Sequence, residues 1–187
     1  MNIVWTKTTI LTLVVLGAIL VVVFYFSFRA VQESQVSRSD AGQALLGDEA
    51  IESEYRYITL DGHSVAIREY LGRTLFINSW ASWSPLSRDE LIALNEIAGE
   101  YKDKNVVFIA LNRKETKEQA ARFLATLPDL PNLVIIIDTE DHFYNSVGGY
   151  AMPETVIYDA SGELVVHERV PQTPSMIREQ LNIVLSE

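Results

Sequence analysis

The chain contains no cysteine. That absence removes disulfide bonds, thiolate nucleophiles, Cys-ligated zinc and iron–sulfur clusters together. Histidine is scarce as well. His63, His142 and His167 lack the short spacing of local metal motifs and read as three surface side chains, so neither a metal nor a cofactor is expected. Basic residues are outnumbered, 15 Lys+Arg against 25 Asp+Glu, for a formal net charge of -10. Nucleic acid is therefore no expected partner, because phosphate binding needs clustered Lys and Arg to displace counterions.

What the chain does have is one long uncharged apolar run, ILTLVVLGAILVVVFYFSF, from Ile10 to Phe28. As a helix it reaches about 28 Å, the thickness of a bilayer's hydrocarbon layer. A cleaved leader would have a shorter apolar region and small residues before the cut, and Phe28-Arg29 before Ala30 fits that poorly. An uncleaved single-pass anchor over 10–28 is expected, behind a flank of residues 1–9. Flanking charge does not orient it, since Lys7 and the amino terminus on one side balance Arg29 and Arg38 on the other. Residues 29–54, rich in Ser, Gln and Glu without apolar periodicity, read as a polar tether.

From residue 55 to 187 strand and helix signals alternate, the pattern of an α/β domain around a central sheet. Tyr57–Leu60 and Ser64–Ile67 flank Asp61-Gly62-His63 as a hairpin. Thr74–Ser79, Asn105–Leu111 and Leu133–Asp138 read as strands buried on both faces. Helices are expected over Pro85–Tyr101, Glu115–Thr126 and Asp141–Val147, the last ending at Gly148-Gly149. A second hairpin turns at Asp159-Ala160-Ser161-Gly162. Thr173-Pro174 then opens a final helix with an apolar stripe of Ile177, Leu181 and Val184 or Leu185.

These segments, in this order, resemble the membrane-anchored thioredoxin-like proteins of the TlpA/ResA type. Asn78-Ser79-Trp80-Ala81-Ser82-Trp83 is similar to that family's approach to its catalytic motif, and Gly149-Tyr150-Ala151-Met152-Pro153-Glu154-Thr155 to its cis-proline loop. The resemblance implies a thioredoxin-like fold with an N-terminal β-hairpin extension, carried outside the cytoplasmic membrane on an anchor whose N-terminus is cytoplasmic. It also locates the departure. Where the family has Trp-Cys-x-x-Cys, this chain has Trp83-Ser84-Pro85-Leu86-Ser87.

A serine hydroxyl stays protonated at a helix start where a thiol would ionise, and it forms no S–S bond. Ser84 before Pro85 reads instead as an N-cap, with Ser87 facing the same surface. A hydrolytic role for Ser84 would need an adjacent base, and the resemblance brings no histidine beside it. A peptide-docking role for Trp83, Leu86, Met152 and Pro153 is the leading expectation, because strand-like recognition needs main-chain groups and apolar contacts rather than thiols. Trp80 reads as core and Glu154 as an exposed loop-edge side chain. Two other readings stay open: an active oxidoreductase whose cysteines were replaced by serine, and a structural subunit of a membrane complex.

Overall fold

The computed structural model describes residues 51 and 53–186. The flank 1–9 and the anchor expected over 10–28 lie outside the described residues, as does most of the 29–54 tether. No helix among the described residues is long and apolar enough to cross a membrane. Ile51, which the sequence places in the tether, is buried in the core of the domain. A lone apolar side chain in a polar stretch carries no periodicity to betray such packing.

Among the described residues the first strands are β1 (Tyr57–Thr59) and β2 (Ser64–Val65), followed by a 3-10 turn, Ile67–Tyr70. Strand β3 (Thr74–Trp80) leads into helix α1 (Ser87–Glu100), then β4 (Val106–Arg113) into α2 (Lys117–Leu124), and β5 (Val134–Asp138) into α3 (His142–Ser146). β6 (Glu154–Tyr158), β7 (Leu164–Glu168) and α4 (Pro174–Val184) complete it. The seven strands form one mixed sheet in the order β2-β1-β5-β4-β3-β6-β7. β3, β4 and β5 run parallel, while β6, β7 and the β1–β2 hairpin are antiparallel to their neighbours.

Alternation along the strands supplies both faces of the sheet. Leu75 and Ile77 of β3 pack with Val107, Ile109, Leu111, Phe143 and Val147 on one side. Phe76 meets Leu94, Ile97, Phe108, Ile177 and Leu181 on the other, where Trp80 joins Leu91, Ala110 and Ala120. Each large apolar side chain so buried contributes roughly 1.5–3 kcal/mol, and every residue of β3 is buried, as a strand covered on both faces requires.

Helix α2 starts two residues later than the sequence implies, and its start is a capping box. The Thr116 hydroxyl accepts from the Gln119 amide at 3.3 Å, and the Gln119 side chain accepts from the Thr116 amide at 2.8 Å. Glu115 is thereby left outside the helix. Thr116→Ala is expected to lower unfolding free energy by about 1 kcal/mol, with Thr116→Ser close to wild type. Equal urea midpoints for all three chains would remove the cap's contribution.

Candidate functional site

β3 ends at Ser79–Trp80, and its antiparallel ladder with β6 places Ser79 opposite Glu154. The turn leaving β3 and the loop entering β6 therefore emerge side by side, at the end of the sheet where β4 and β5 also finish. Crevices beyond the carboxyl ends of parallel strands are where α/β folds build their sites. The sequence-predicted residues gather here.

The 81–87 turn is tighter than a capped helix start. Ser84 N–H donates to the Ala81 carbonyl at 3.1 Å, and Ser87 N–H donates to the Ser84 carbonyl at 3.3 Å. Helix α1 begins only at Ser87; Leu86 occupies the N-cap position and makes no side-chain cap bond. The expected Ser84 cap is thus absent, because residues 84–87 form a turn of their own before the helix. Ser87 does not face outward either. It is buried, and its hydroxyl accepts from the Ala81 amide at 3.3 Å. Ser84 is 7% exposed and hydrogen-bonds to no histidine among the described residues. The hydrolytic arrangement is not formed.

Trp83 is 60% exposed and Leu86 43%, whereas Trp80 is fully buried with its ring centroid 5.5 Å from that of Phe123. The Met152–Pro153 peptide bond is cis. Met152 is half-buried and Pro153 buried, so the proline shapes the loop from beneath.

Three carboxylates around this surface are held in buried environments that sequence reasoning did not find. Glu115 is buried and accepts from the Ser82 amide at 2.8 Å, from the Ser82 hydroxyl, and from the Asn112 side chain at 2.7 Å. It fixes the turn that carries Trp83. Glu90 lies one helical turn past Ser87, with both carboxyl oxygens buried and lacking a hydrogen-bond partner. Burial pushes its carboxyl up to about 7, the nearby Asn78 amide opposing in part. Asn78 itself donates to the Thr155 hydroxyl at 3.1 Å.

Glu154 is the third. Expected at an exposed loop edge, it is 2% exposed. Its carboxylate accepts from the amides of Tyr150 at 3.1 Å and Ala151 at 3.3 Å, contacts His167 Nε2, and lies 3.4 Å from Arg169 Nε. Burial alone would raise its carboxyl, but the bonds from His167 and Ala151 and the charges of His167 and Arg169 hold it below the ordinary carboxylate range. His167 is accordingly not a surface residue, and His142 is half-buried, stacked 3.8 Å from the Tyr55 ring. The signal for the Glu154 cluster was present in period two: on antiparallel partners, Glu154 and Val156 share a face with His167 and Arg169. Among the described residues no group of three or more histidines and carboxylates is arranged to hold a metal.

The arrangement offers exposed apolar side chains beside a rigidly held loop, with hydroxyls at the two motif positions. Comparison with known proteins places it. The family profile described as Redoxin matches residues 45–183. The chain is 26% identical over 183 residues to the thiol-disulfide oxidoreductase ResA of Halalkalibacterium halodurans, covering 98% of this chain and 96% of that one. It is 36% identical over 100 residues to the thiol:disulfide interchange protein DsbE of Allochromatium vinosum, covering 54% and 52%. In fold it resembles the crystal structure of a putative DsbE from Chlorobium tepidum with a TM-score of 0.64 at 21% identity, over 70% of this chain and 92% of that one. The chain belongs to the redoxin family, as a TlpA/ResA-type thioredoxin-like member with Ser84 and Ser87 at the positions of the family's two redox cysteines.

Proposed function

We propose that this chain is a redox-inactive thioredoxin-like module that binds an extended protein segment across the Trp83–Ser87 and Met152–Pro153 surface. The observation carrying this reading is Met152: neither its N–H nor its C=O has a hydrogen-bond partner among the described residues. A residue with both groups free can exchange two bonds with one extended residue of a partner, as facing residues do in an antiparallel pair. Trp83 and Leu86 supply exposed apolar contact beside it. The missing dithiol removes exchange chemistry without disturbing that surface, since Ser84 and Ser87 are absorbed into the turn.

The 10–28 run and the family resemblance support a membrane anchor with the domain on the extracytoplasmic side. A labelled extended peptide titrated against the full chain tests the docking reading. Trp83→Ala is expected to weaken binding about tenfold, the effect of losing an aromatic anchor worth about 1.4 kcal/mol. Reduction of insulin disulfides by the chain alone would overturn the inactive reading, and unchanged peptide affinity in Trp83→Ala would overturn the site.

A further inference from the structure

The loop before Pro153 is held from two sides. On one, Glu154 takes the amides of Tyr150 and Ala151 while bound to His167 and Arg169, and the Arg169 guanidinium lies 4.8 Å from the Tyr150 ring centroid. On the other, the Tyr144 hydroxyl donates to the Ala151 carbonyl at 2.6 Å. Tyr144 is itself clamped: the Arg113 guanidinium sits 3.3 Å over its ring and is held by Asp141 through two bonds of 2.9 and 2.6 Å. Gly149 passes so close to Tyr144 that a Cβ there would lie 2.7 Å from its ring and its carbonyl.

The consequence is an inventory of donors. Gly148 N–H donates to the Asn145 carbonyl and Gly149 N–H to that of Tyr144, while Tyr150 and Ala151 donate to Glu154. Pro153 has no N–H. Met152 is left with the only unpartnered main-chain donor between Gly148 and Pro153, among the described residues.

We infer that Glu154 and Tyr144 are positioning residues that occupy the polar groups on the amino side of Met152, so that a partner is read through one residue that must itself offer a main-chain N–H and C=O. The inference rests on the docking reading and names its ligand class: extended segments with an unsubstituted amide at the paired residue, largely independent of side-chain identity. Buried main-chain groups seek partners, so a loop whose neighbouring amides are already satisfied cannot slide to present a different residue.

Two measurements on the full chain separate this inference from the reading beneath it. Amide hydrogen exchange in the absence of any ligand should show Tyr150 and Ala151 protected and Met152 exchanging freely. Glu154→Ala should lower protection at Tyr150 and Ala151 about tenfold or more, with Glu154→Gln restoring most of it because one acceptor oxygen remains. Tyr144→Phe, which keeps the ring against Arg113, should loosen the same two amides less strongly. Protection at Met152 equal to that at Ala151, or exchange unchanged in both Glu154→Ala and Tyr144→Phe, overturns the positioning roles. The second measurement uses a fluorescein-labelled, end-blocked seven-residue peptide of alternating Thr and Val and its fully N-methylated counterpart. Tighter binding of the unmethylated peptide, reduced in Tyr144→Phe, supports the ligand class. Equal binding of the two peptides overturns that class, and no binding of either overturns the docking reading, in each case leaving the exchange pattern to judge the loop.

Discussion

The chain is expected to lose roughly 3 kcal/mol of unfolding free energy between pH 5 and pH 8.5 through Glu90 alone. Its carboxyl rises from the ordinary 4.5 to about 7 on folding because burial disfavours the charged form. Between those values the folded state binds more protons than the unfolded one, so stability falls as pH rises. The contribution is fully present below about 4.5 and is lost as pH passes through about 7. At about 1.4 kcal/mol per pH decade, that interval yields the figure above. Asp138, also raised by burial, acts in the same direction, so the test is a difference. Glu90→Gln should remove most of the slope that urea unfolding records for wild type across this range. Parallel pH profiles for the two chains would rule out a buried, proton-bearing Glu90.

Glu115→Ala is the second large effect, at roughly 2–4 kcal/mol. One carboxylate satisfies the amide and hydroxyl of Ser82 and the amide of Asn112, and a hydrogen bond to a charged group is worth a net of about 1.5–3 kcal/mol, less than additively where one carboxylate takes all three. Removing it strands donors in a buried turn. Glu115→Gln should recover much of the loss, because its one oxygen can still take the Ser82 and Asn112 N–H groups while the Ser82 hydroxyl turns to accept from its amide. Urea midpoints measure the loss, and Ser82 amide exchange locates it in the turn. A wild-type midpoint together with wild-type Ser82 exchange would show that the turn stands without Glu115. On the proposed docking reading, the same variant should also weaken peptide binding through Trp83.

Much of the fold is legible in the residues because it depends on local period and turn chemistry. Thr74–Ser79 lies within β3, and Asp159–Gly162 turns between β6 and β7. Thr173 caps α4 as its position before Pro174 implies, its hydroxyl accepting from the Met176 amide at 3.3 Å. The candidate site is less legible, for identifiable reasons. The link from Glu115 to Ser82 spans 33 residues and has no spacing rule to announce it. Ser84 has the type and position of a cap, but its role depends on whether the helix begins at residue 85 or 87, and element boundaries are set by competing turns. Glu154 follows a loop and carries a charge, which argues for exposure; only its registry against His167 and Arg169 shows that β6 turns it inward. Trp80 and Trp83 sort correctly because one lies within a strand buried on both faces and the other in a turn beyond it.

The β1–β2 hairpin has a consequence for the company this molecule keeps. Without it, β5 would present Val134-Ile135-Ile136-Ile137, four β-branched residues in a row, along a bare margin inviting lateral stacking. β1 shields that margin, and among the described residues β2, two residues long, is the outermost strand, with too few rungs to template a neighbour. At the opposite margin Glu163 and Glu168 bracket β7 with like charge. The two margins of the sheet are thereby guarded against indiscriminate adhesion, whatever the surface at Met152 binds.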